Sequence, residues 1–334
     1  MRIKKLKKMT ISMMVLFFVC SASTSWAKTY KFRFANAAPL ALTLTKAGVW
    51  IADRLNAETN GQIEAKYYHS RQMGDEIETF NKLQKGVLQG AVISAAVSAN
   101  FGPTIDIFNL PFMFPSYDAL DRFLESKHYE KVLNGLKKYG ITGLGQAEAG
   151  YYSLASIKPL RSFDDVSGSG MKFRVPKSKI MMAYIREMGL SPTPLPFGEV
   201  YVSLTQGVVD GLGSAPSILK LVKFDEVVKN IYLTQHWYGG NIFWVRDDFL
   251  NQLPDKLRKQ FVSIVTEELA RSREVKRKLD EDVLAEFRKK GIAIHHLTKA
   301  DRVKFIKAME PVYDKFDDKI GKKFVAEVRA EFQN

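Results

Sequence analysis

A single arginine, Arg174, has the residue type and setting to bind an anion. Apolar residues alternate with Lys172 and Arg174 in the segment GMKFRVP, which is the period-two pattern of a half-buried strand. The proline ends the strand, because it has no N–H to donate to a sheet ladder. A guanidinium on a rigid strand offers a planar fork of donors that matches a carboxylate. From these residues alone a solvent-facing strand residue is the favoured interpretation, with a carboxylate site as the alternative.

Other residues that could do chemistry have simpler structural explanations. Glu199 and Asp210 could form an acid/base pair, but Glu199 lies in the first turn of a predicted helix and Asp210 precedes a glycine in a turn. His295 and His296 follow a short apolar strand, and His236 is predicted to be structural, with a place in a ligand pocket as the alternative. No serine-hydrolase, phosphate-loop or zinc-protease motif is present. The sequence therefore predicts no enzyme, no metal site and no cofactor.

The first 27 residues are predicted to be a cleaved export signal. A basic start precedes an apolar run at Ile11–Val19, which is too short to cross a membrane, and Ser25–Ala27 resembles a small-x-small cleavage site. A lipoprotein signal that uses Cys20 is an alternative, but bulky residues stand where such a signal needs small ones. An uncleaved anchor is the other alternative.

Cysteine content and charge narrow the class of protein. Cys20 is the only cysteine, so the predicted mature chain has no thiol nucleophile and no disulfide, which suits an oxidising compartment. The net charge of +14 becomes about +9 without the five basic residues of the predicted signal. Since the basic residues are interleaved with acids, as on solvated helix faces, nucleic-acid binding is not predicted.

Strand and helix patterns alternate along the chain on both sides of Arg174. This alternation predicts an α/β fold with a mostly parallel, doubly wound sheet. Ser116 is a predicted helix N-cap. A second α/β pattern begins near Gly150. The predicted strands are Lys31–Phe34, Ile63–Tyr68, Ala91–Ala95, the segment of Arg174, Val208–Asp210 and Asn241–Val245, and the predicted helices are Thr45–Glu58, one from Asp75, Lys179–Met188 and Glu199–Gln206.

A long helix is predicted near the end of the chain. Between Pro254 and Lys290 there is no proline or glycine, and the residues present favour helix. One unbroken helix would be about 50 Å long, which exceeds either small domain. A coiled coil is the alternative, but heptads are not sustained. Amphipathic helices follow from Lys299.

The ordered motifs resemble the solute-binding proteins of TRAP transporters (tripartite ATP-independent periplasmic transporters), the DctP-like family. GMKFRVP, LSPTPLPFGEVYVSLTQGVVDGLGSAP and FDEVVKNIYLTQH are similar to the family pattern in order and spacing. In the first half, TNGQIEAKYYHSRQMGDEIE and FNLPFMFPSYDAL are similar to family segments. The resemblance covers nearly the whole predicted mature chain and implies capture of a solute rather than catalysis.

The resemblance also implies the fold. We expect two doubly wound α/β domains around a ligand cleft, similar to type II periplasmic binding proteins, with the long helix spanning both. Domain I is predicted to comprise residues 28–149 plus about 240–279, and domain II residues 150–239 plus about 280–334. Because no Gly/Ser/Pro-rich linker is present, we expect strands and a helix to join the domains.

The resemblance assigns roles to individual residues. Arg174 is expected to clamp the ligand carboxylate, and Phe197 to pack on the ligand, with simple core packing as the alternative for Phe197. Asn36 and Glu76 are expected to approach the ligand from domain I. A charge-assisted Arg–carboxylate pair is stronger than a neutral hydrogen bond.

Two positions depart from the sialate-binding branch of the family. Ser214 stands where that branch has an asparagine, and a hydroxyl cannot make the same two-sided contact. Tyr152 stands where that branch has a second arginine. The missing cation disfavours a sialate or a dicarboxylate. The absence of this cation favours a monocarboxylate with a less polar body, which Tyr151, Tyr152, Trp237 or Trp244 would contact.

The partners follow from the same resemblance. The protein is expected to be a periplasmic monomer that binds a small carboxylate and docks on one small and one large integral membrane subunit driven by an ion gradient. The alternatives are a binding protein of an ATP-driven importer and, less favoured, an exported hydrolase.

Overall fold

One continuous sheet runs through the described part of the protein. The computed structural model describes residues 28–333. The predicted signal, residues 1–27 with Cys20, lies outside this range. The strand order is β2-β1-β3-β8-β4-β7-β5-β6, and β9 pairs with β8. The nine strands in the described range are β1 (Tyr30–Asn36), β2 (Ile63–Tyr68), β3 (Gly90–Ser94), β4 (Ile141–Ser156), β5 (Lys172–Val175), β6 (Ser191–Pro194), β7 (Gly211–Ser214), β8 (Asn230–Arg246) and β9 (Ala293–His296).

Two long antiparallel strands, β4 and β8, form the middle of the sheet. They pair from Ile141 opposite Arg246 to Ser156 opposite Asn230, with three register shifts. One wing contains β1, β2 and β3, and the other contains β5, β6 and β7. Within each wing the neighbouring strands are parallel, whereas β3 pairs antiparallel with β8 and β7 with β4. The sheet is therefore mixed at its centre, which the alternating pattern did not indicate.

Helices cover the two wings. Their bounds agree with the predicted helices to within a few residues, and Ser116 caps α4 through a hydrogen bond from the Ala119 amide to Oγ, as predicted. The α-helices in the described range are α1 (Thr43–Glu58), α2 (Glu76–Gln84), α3 (Ala95–Ser98), α4 (Tyr117–Leu124), α5 (Lys127–Leu133), α6 (Phe163–Val166), α7 (Lys179–Glu187), α8 (Val200–Thr205), α9 (Pro216–Leu221), α10 (Asp247–Gln252), α11 (Asp255–Lys289), α12 (Lys299–Ile320) and α13 (Lys322–Phe332).

Helix α11 is the predicted long helix, and it contributes to two separate hydrophobic clusters. It contains 35 residues and is therefore about 52 Å long. Near its start, Phe261 packs in a cluster with Phe32 of β1. Near its end, Phe287 packs in a cluster with Leu212 of β7. One helix thus supports both wings, as predicted.

The predicted strand at Val208–Asp210 is wrong, since the strand of this region is β7 at Gly211–Ser214. A Cβ added at Gly211 would lie 2.5 Å from the Ala155 carbonyl oxygen and 2.7 Å from the ring of Phe173. A glycine is required there by close packing. Glycine-rich strands carry little β-propensity, so the pattern did not reveal this one.

The chain passes between the wings inside continuous elements. The predicted domain boundaries at residues 149/150, 239/240 and 279/280 fall within β4, β8 and α11 respectively. The joining elements are thus two strands and a helix. Motion of one wing relative to the other would bend these three elements.

Candidate ligand-binding site

A cavity lies between the two wings of the sheet, with about 800 Å³ of empty space including its open mouth. Six of the seven predicted site residues line it: Asn36, Glu76, Tyr152, Arg174, Phe197 and Trp237. They come from β1, α2, β4, β5, β8 and the 3-10 turn Phe197–Glu199. Residues that are more than 200 positions apart in the sequence therefore face one space. Apolar side chains form much of the remaining wall: Leu42, Leu44, Val175, Met181, Ile185 and Ile218.

Arg174 is buried rather than solvent-facing, with 8% of its surface exposed. Its Nε and Nη2 atoms donate to the carbonyl oxygen of Leu195 at 3.0 and 2.9 Å. The guanidinium lies 5.7 Å from the centroid of the Phe197 ring. Within residues 28–333, its Nη1 atom has no hydrogen-bond partner. Leu195 and Phe197 therefore orient the guanidinium and leave donors for another group.

Burial also changes the protonation equilibrium of Arg174. Loss of hydration lowers the pKa of this guanidinium to about 10, and the electrostatic influence of Tyr152 and Glu76 opposes that shift. The side chain is nevertheless cationic at neutral pH. A buried cation without an ion-pair partner is costly unless an anion reaches it.

Glu76 presents a fixed carboxylate on the wall formed by α2 and β3. The Ser94 amide N–H donates to Oε1 at 2.6 Å, and the Ser94 hydroxyl donates to Oε2 at 3.0 Å. The pKa of Glu76 is raised above its usual value, because the effect of burial exceeds the opposing effects of the hydrogen bonds from Ser94 and the charge of Arg174. Glu76 and Arg174 line the same cavity and influence each other electrostatically.

Asn36 stabilises the cavity wall through its own amide. Its Nδ2 donates to the Val92 carbonyl at 3.0 Å, which connects β1 to β3. Its Oδ1 accepts from the Ala38 amide at 2.6 Å and from the Thr45 hydroxyl at 3.4 Å. Most of its hydrogen-bonding capacity is thus occupied within the protein.

Tyr152 and Trp237 form an aromatic corner of the cavity. Their ring centroids are 4.4 Å apart and the rings are nearly perpendicular, at 85°. Burial raises the pKa of Tyr152, so its phenol is neutral at neutral pH. Within residues 28–333, the buried indole N–H of Trp237 has no hydrogen-bond partner.

Ser214 is absent from the residues that line the cavity. Its hydroxyl donates to the carbonyl of Ala215 at 3.3 Å, and the preceding residue, Gly213, lines the cavity instead. Successive residues of a strand point to opposite faces of the sheet, so Gly213 and Ser214 cannot both face the same space.

Two aromatic residues suggested for the ligand body lie outside this wall. The Tyr151 hydroxyl donates to the Ser116 carbonyl at 2.8 Å, and the Trp244 indole N–H donates to the Ser98 hydroxyl at 2.9 Å. Both side chains are occupied in the core, so of the four suggested aromatic residues only Tyr152 and Trp237 line the cavity. His236 is fully buried and is also not in the lining.

The sequence reasoning missed Tyr184 and Asn241, which line the cavity. Tyr184 lies in the predicted helix after the arginine strand, and nothing in the helical pattern marks it as different from a core residue. Asn241 is a polar residue in a strongly apolar strand, and this contrast was the sequence signal that could have indicated a position in the cavity wall. Both side chains have hydrogen-bonding atoms that are unpaired within the described part of the chain.

A smaller outer chamber, with about 420 Å³ of empty space, shares Arg174, Glu76 and Phe197 with the cavity. Arg71 and Lys177 also line it. A Cβ added at Gly198 would lie 2.7 Å from Arg71 Nη1 and 3.0 Å from its Cδ. Arg71, which precedes α2, therefore packs directly on the backbone that follows β6.

Residues 28–333 contain no group of three or more His, Cys, Asp or Glu side chains with the arrangement to hold a metal ion. No helix in this range is both long and apolar enough to cross a membrane.

Comparison with known proteins identifies the family. The sequence model of the DctP family, bacterial extracellular solute-binding protein family 7, matches residues 34–319. The chain belongs to this family. The C4-dicarboxylate-binding periplasmic protein DctP of Rhodobacter capsulatus is 30% identical over 277 residues, which cover 81% of this chain and 82% of that protein. The sialic acid-binding periplasmic protein SiaP of Vibrio cholerae is 28% identical over 330 residues, 98% and 99% of the two chains.

Solved structures of TRAP periplasmic solute-binding proteins have the same fold. One from Sulfurospirillum deleyianum with bound succinate is 28% identical, with a TM-score of 0.83, and the match covers 91% of this chain and 99% of that one. One from Ralstonia eutropha with bound (S)-2-acetolactate is 25% identical, with a TM-score of 0.85 and coverage of 90% and 98%. The predicted family and the predicted two-domain α/β fold are thus confirmed. The DctP family is one of solute-binding proteins rather than enzymes.

Proposed function

We propose that this DctP-family protein acts in the periplasm and captures a small monocarboxylate through Arg174. The observation that carries this proposal is the state of Arg174, a buried cation that faces the cavity with unpaired donors. Among the described residues that line the cavity, Arg174 is the one cation. A single cation in the cavity wall suits a ligand with a single carboxylate group.

The remaining wall favours a ligand with a compact, mainly apolar body. Leu42, Leu44 and Ile218 lie on one part of the wall, and Met181 and Ile185 on another. Apolar contact area contributes affinity without a requirement for further charges. The (S)-2-acetolactate bound to the Ralstonia relative is a monocarboxylate, whereas the Rhodobacter relative is named for C4-dicarboxylates.

The mechanism is capture by closure. A ligand that contacts residues of both wings, such as Glu76 and Arg174, binds the closed form better than the open form and shifts the population towards closure. The strands β4 and β8 and the helix α11 would bend during this motion. The closed monomer then delivers the ligand to one small and one large integral membrane subunit.

The test is binding by calorimetry with a panel of aliphatic and aromatic monocarboxylates. Arg174→Ala removes the charged donors, and truncation of one partner of a buried charge pair costs about 2–5 kcal/mol. We therefore expect the affinity to fall by at least about 30-fold, while the thermal melting curve shows a folded protein. Arg186→Ala, which removes an exposed arginine of α7, is the matched control. Near-normal affinity of the Arg174→Ala protein would contradict the proposal.

A further inference from the structure

Strand β7 contains a glycine that the packing of the fold does not require. We propose that Gly213 sets the size of the ligand body: because this position has no side chain, the cavity admits a monocarboxylate with a bulky branched or cyclic apolar body. This inference rests on the proposed function, since it assumes that the ligand carboxylate binds Arg174.

The two glycines of β7 have different surroundings. Side chains alternate along a strand, so Gly211 and Gly213 belong to the same face of the sheet. A Cβ added at Gly211 would lie 2.5 Å from the carbonyl oxygen of Ala155, so packing requires that glycine. A Cβ added at Gly213 would lie 3.6 Å from Nε2 of His236 and 3.7 Å from Cδ2 of Tyr152, which are ordinary contact distances. The fold therefore has room for a methyl group at Gly213.

The backbone conformation of Gly213 does not require glycine either. Its φ lies outside the left-handed region, in contrast to that of Gly207, which is +68°. Glycine within a strand is less stable than alanine, because it loses more conformational freedom on folding and packs no side chain. A glycine in a strand also marks places where a ligand approaches the backbone closely. Gly213 lines the cavity, so ligand contact explains a residue that packing does not.

Gly213 lies where the cavity extends from one face of the sheet to the other. Arg174 of β5 is the register partner of Leu212 in β7. Register partners project to the same face, so Arg174 and Gly213 belong to opposite faces, yet both line the cavity. The ring of His236, which adjoins Gly213, lies 5.6 Å from the ring of Tyr184 in α7, measured between centroids. Helix α7 therefore covers the face to which Gly213 belongs.

The apolar side chains of α7 form the cavity wall on this face. Met181 and Ile185 line the cavity together with Tyr184. A ligand whose carboxylate binds Arg174 reaches these side chains when its body crosses the strand ends beside Gly213. A methyl group at this position would narrow the passage, whereas a ligand short enough to remain beside Arg174 would not meet it. The missing side chain thus selects for the size of the ligand body and not for its charge.

The experiment compares propanoate, 3-methylbutanoate and cyclohexanecarboxylate, which have the same charge and increasing apolar volume, by calorimetry. In the unaltered protein we expect cyclohexanecarboxylate to bind at least about tenfold more tightly than propanoate, since each buried methylene adds to the affinity. In Gly213→Ala we expect the affinity for cyclohexanecarboxylate to fall at least about tenfold, a usual effect of overpacking. The affinity for propanoate should change less than about twofold.

A matched control adds side-chain volume elsewhere in the same wing. Ser191 occupies an exposed position of β6 and does not line the cavity. Ser191→Val should therefore bind all three ligands as the unaltered protein does.

Thermal unfolding separates a role in ligand binding from a role in packing. We expect Gly213→Ala to raise the midpoint by about 1–3 °C, because alanine restricts the unfolded chain and fits the strand. Gly211→Ala should lower the midpoint by several degrees, since its Cβ would clash with the carbonyl oxygen of Ala155. A lower midpoint for Gly213→Ala would show that the fold requires this glycine and would overturn the inference.

The outcomes also separate this inference from the proposed function. If monocarboxylates bind through Arg174 but propanoate binds the unaltered protein as tightly as cyclohexanecarboxylate does, the inference is wrong and the proposed function stands. The same holds if Gly213→Ala binds all three ligands as the unaltered protein does. If no carboxylate binds at all, both are wrong. The ligand ranking in the unaltered protein is decisive even if a variant folds poorly.

Discussion

Arg277 of helix α11 and Glu148 of strand β4 form an ion pair, in which Nε lies 3.0 Å from Oε1 and Nη2 lies 3.2 Å from Oε2. Arg277 also donates to both carboxylate oxygens of Asp121 at 2.6 and 2.7 Å. Its guanidinium lies 4.1 Å from the centroid of the Tyr117 ring. The long helix is thus fastened to a central strand close to the place where the chain passes between the wings.

Loss of this arginine should destabilise the protein. The Glu148 side chain is fully buried, and Arg277→Met would remove its ion-pair partner and leave the Tyr238 hydroxyl as its hydrogen-bond donor. Removal of one partner of a buried pair costs about 3–5 kcal/mol, so we expect the free energy of unfolding in urea to fall by about that amount. The double variant Arg277→Met, Glu148→Gln should recover part of the loss. Arg288→Met, at an exposed position of the same helix, is the control, and an equal effect of both single changes would contradict the prediction.

His236 should make the stability sensitive to acid. It is fully buried, and burial lowers its pKa from 6.5 to about 3. Between these two values the unfolded state binds the proton and the folded state does not. The contribution of neutral His236 is therefore present above pH 6.5 and is lost as the pH falls towards 3. Each pH unit within this window corresponds to about 1.4 kcal/mol.

The check is urea unfolding of the unaltered protein and of His236→Asn at several pH values from 7 to 4. We expect the free energy of unfolding to decrease more steeply with acid in the unaltered protein, by up to about 1.4 kcal/mol per pH unit. His296→Asn, at an exposed position, should follow the unaltered protein. Parallel curves for the unaltered protein and His236→Asn would show that His236 does not titrate in this way.

A second cation near Arg174 should widen the range of ligands. Tyr152→Arg introduces a guanidinium in the cavity wall, and charge-assisted hydrogen bonds to a second carboxylate are strong. We expect the affinity for succinate to rise several-fold in calorimetry. Tyr152→Phe, which keeps the ring contact with Trp237, is the control and should not gain succinate binding. A folded Tyr152→Arg protein without this gain would argue against the single-clamp explanation.

Contact between Arg71 and Gly198 should affect ligand release. In Gly198→Ala the new methyl group would displace the Arg71 side chain, whose flexible end can move at little cost. We therefore expect a change in unfolding free energy within about 0.5 kcal/mol and a several-fold faster ligand dissociation in stopped-flow experiments. Arg71→Ala should have the same kinetic effect. Unchanged dissociation in both variants would mean that this contact does not retain the ligand.

Local signals in the sequence were sufficient for most helices and several strands. Helix α11 was predicted because no proline or glycine interrupts it, and α4 because Ser116 provides an N-cap. Strand β7 was misplaced, since its glycines are required by the approach of Ala155 and Phe173 rather than by a local pattern. The central antiparallel pair was not predicted, because the pairing of β4 with β8 joins residues far apart in the chain.

The family, the two α/β patterns and Arg174 as the candidate clamp could be predicted from the sequence, because these depend on local periodicity and on ordered motifs. The burial of Arg174, its orientation by Leu195, and the presence of Tyr184 and Asn241 but not Ser214 in the cavity wall became visible in the three-dimensional structure. That Glu76 and Arg174 line the same cavity also emerged only there. Burial and the lining of the cavity depend on how β4 and β8 bring the two wings together. A local sequence pattern does not contain this information.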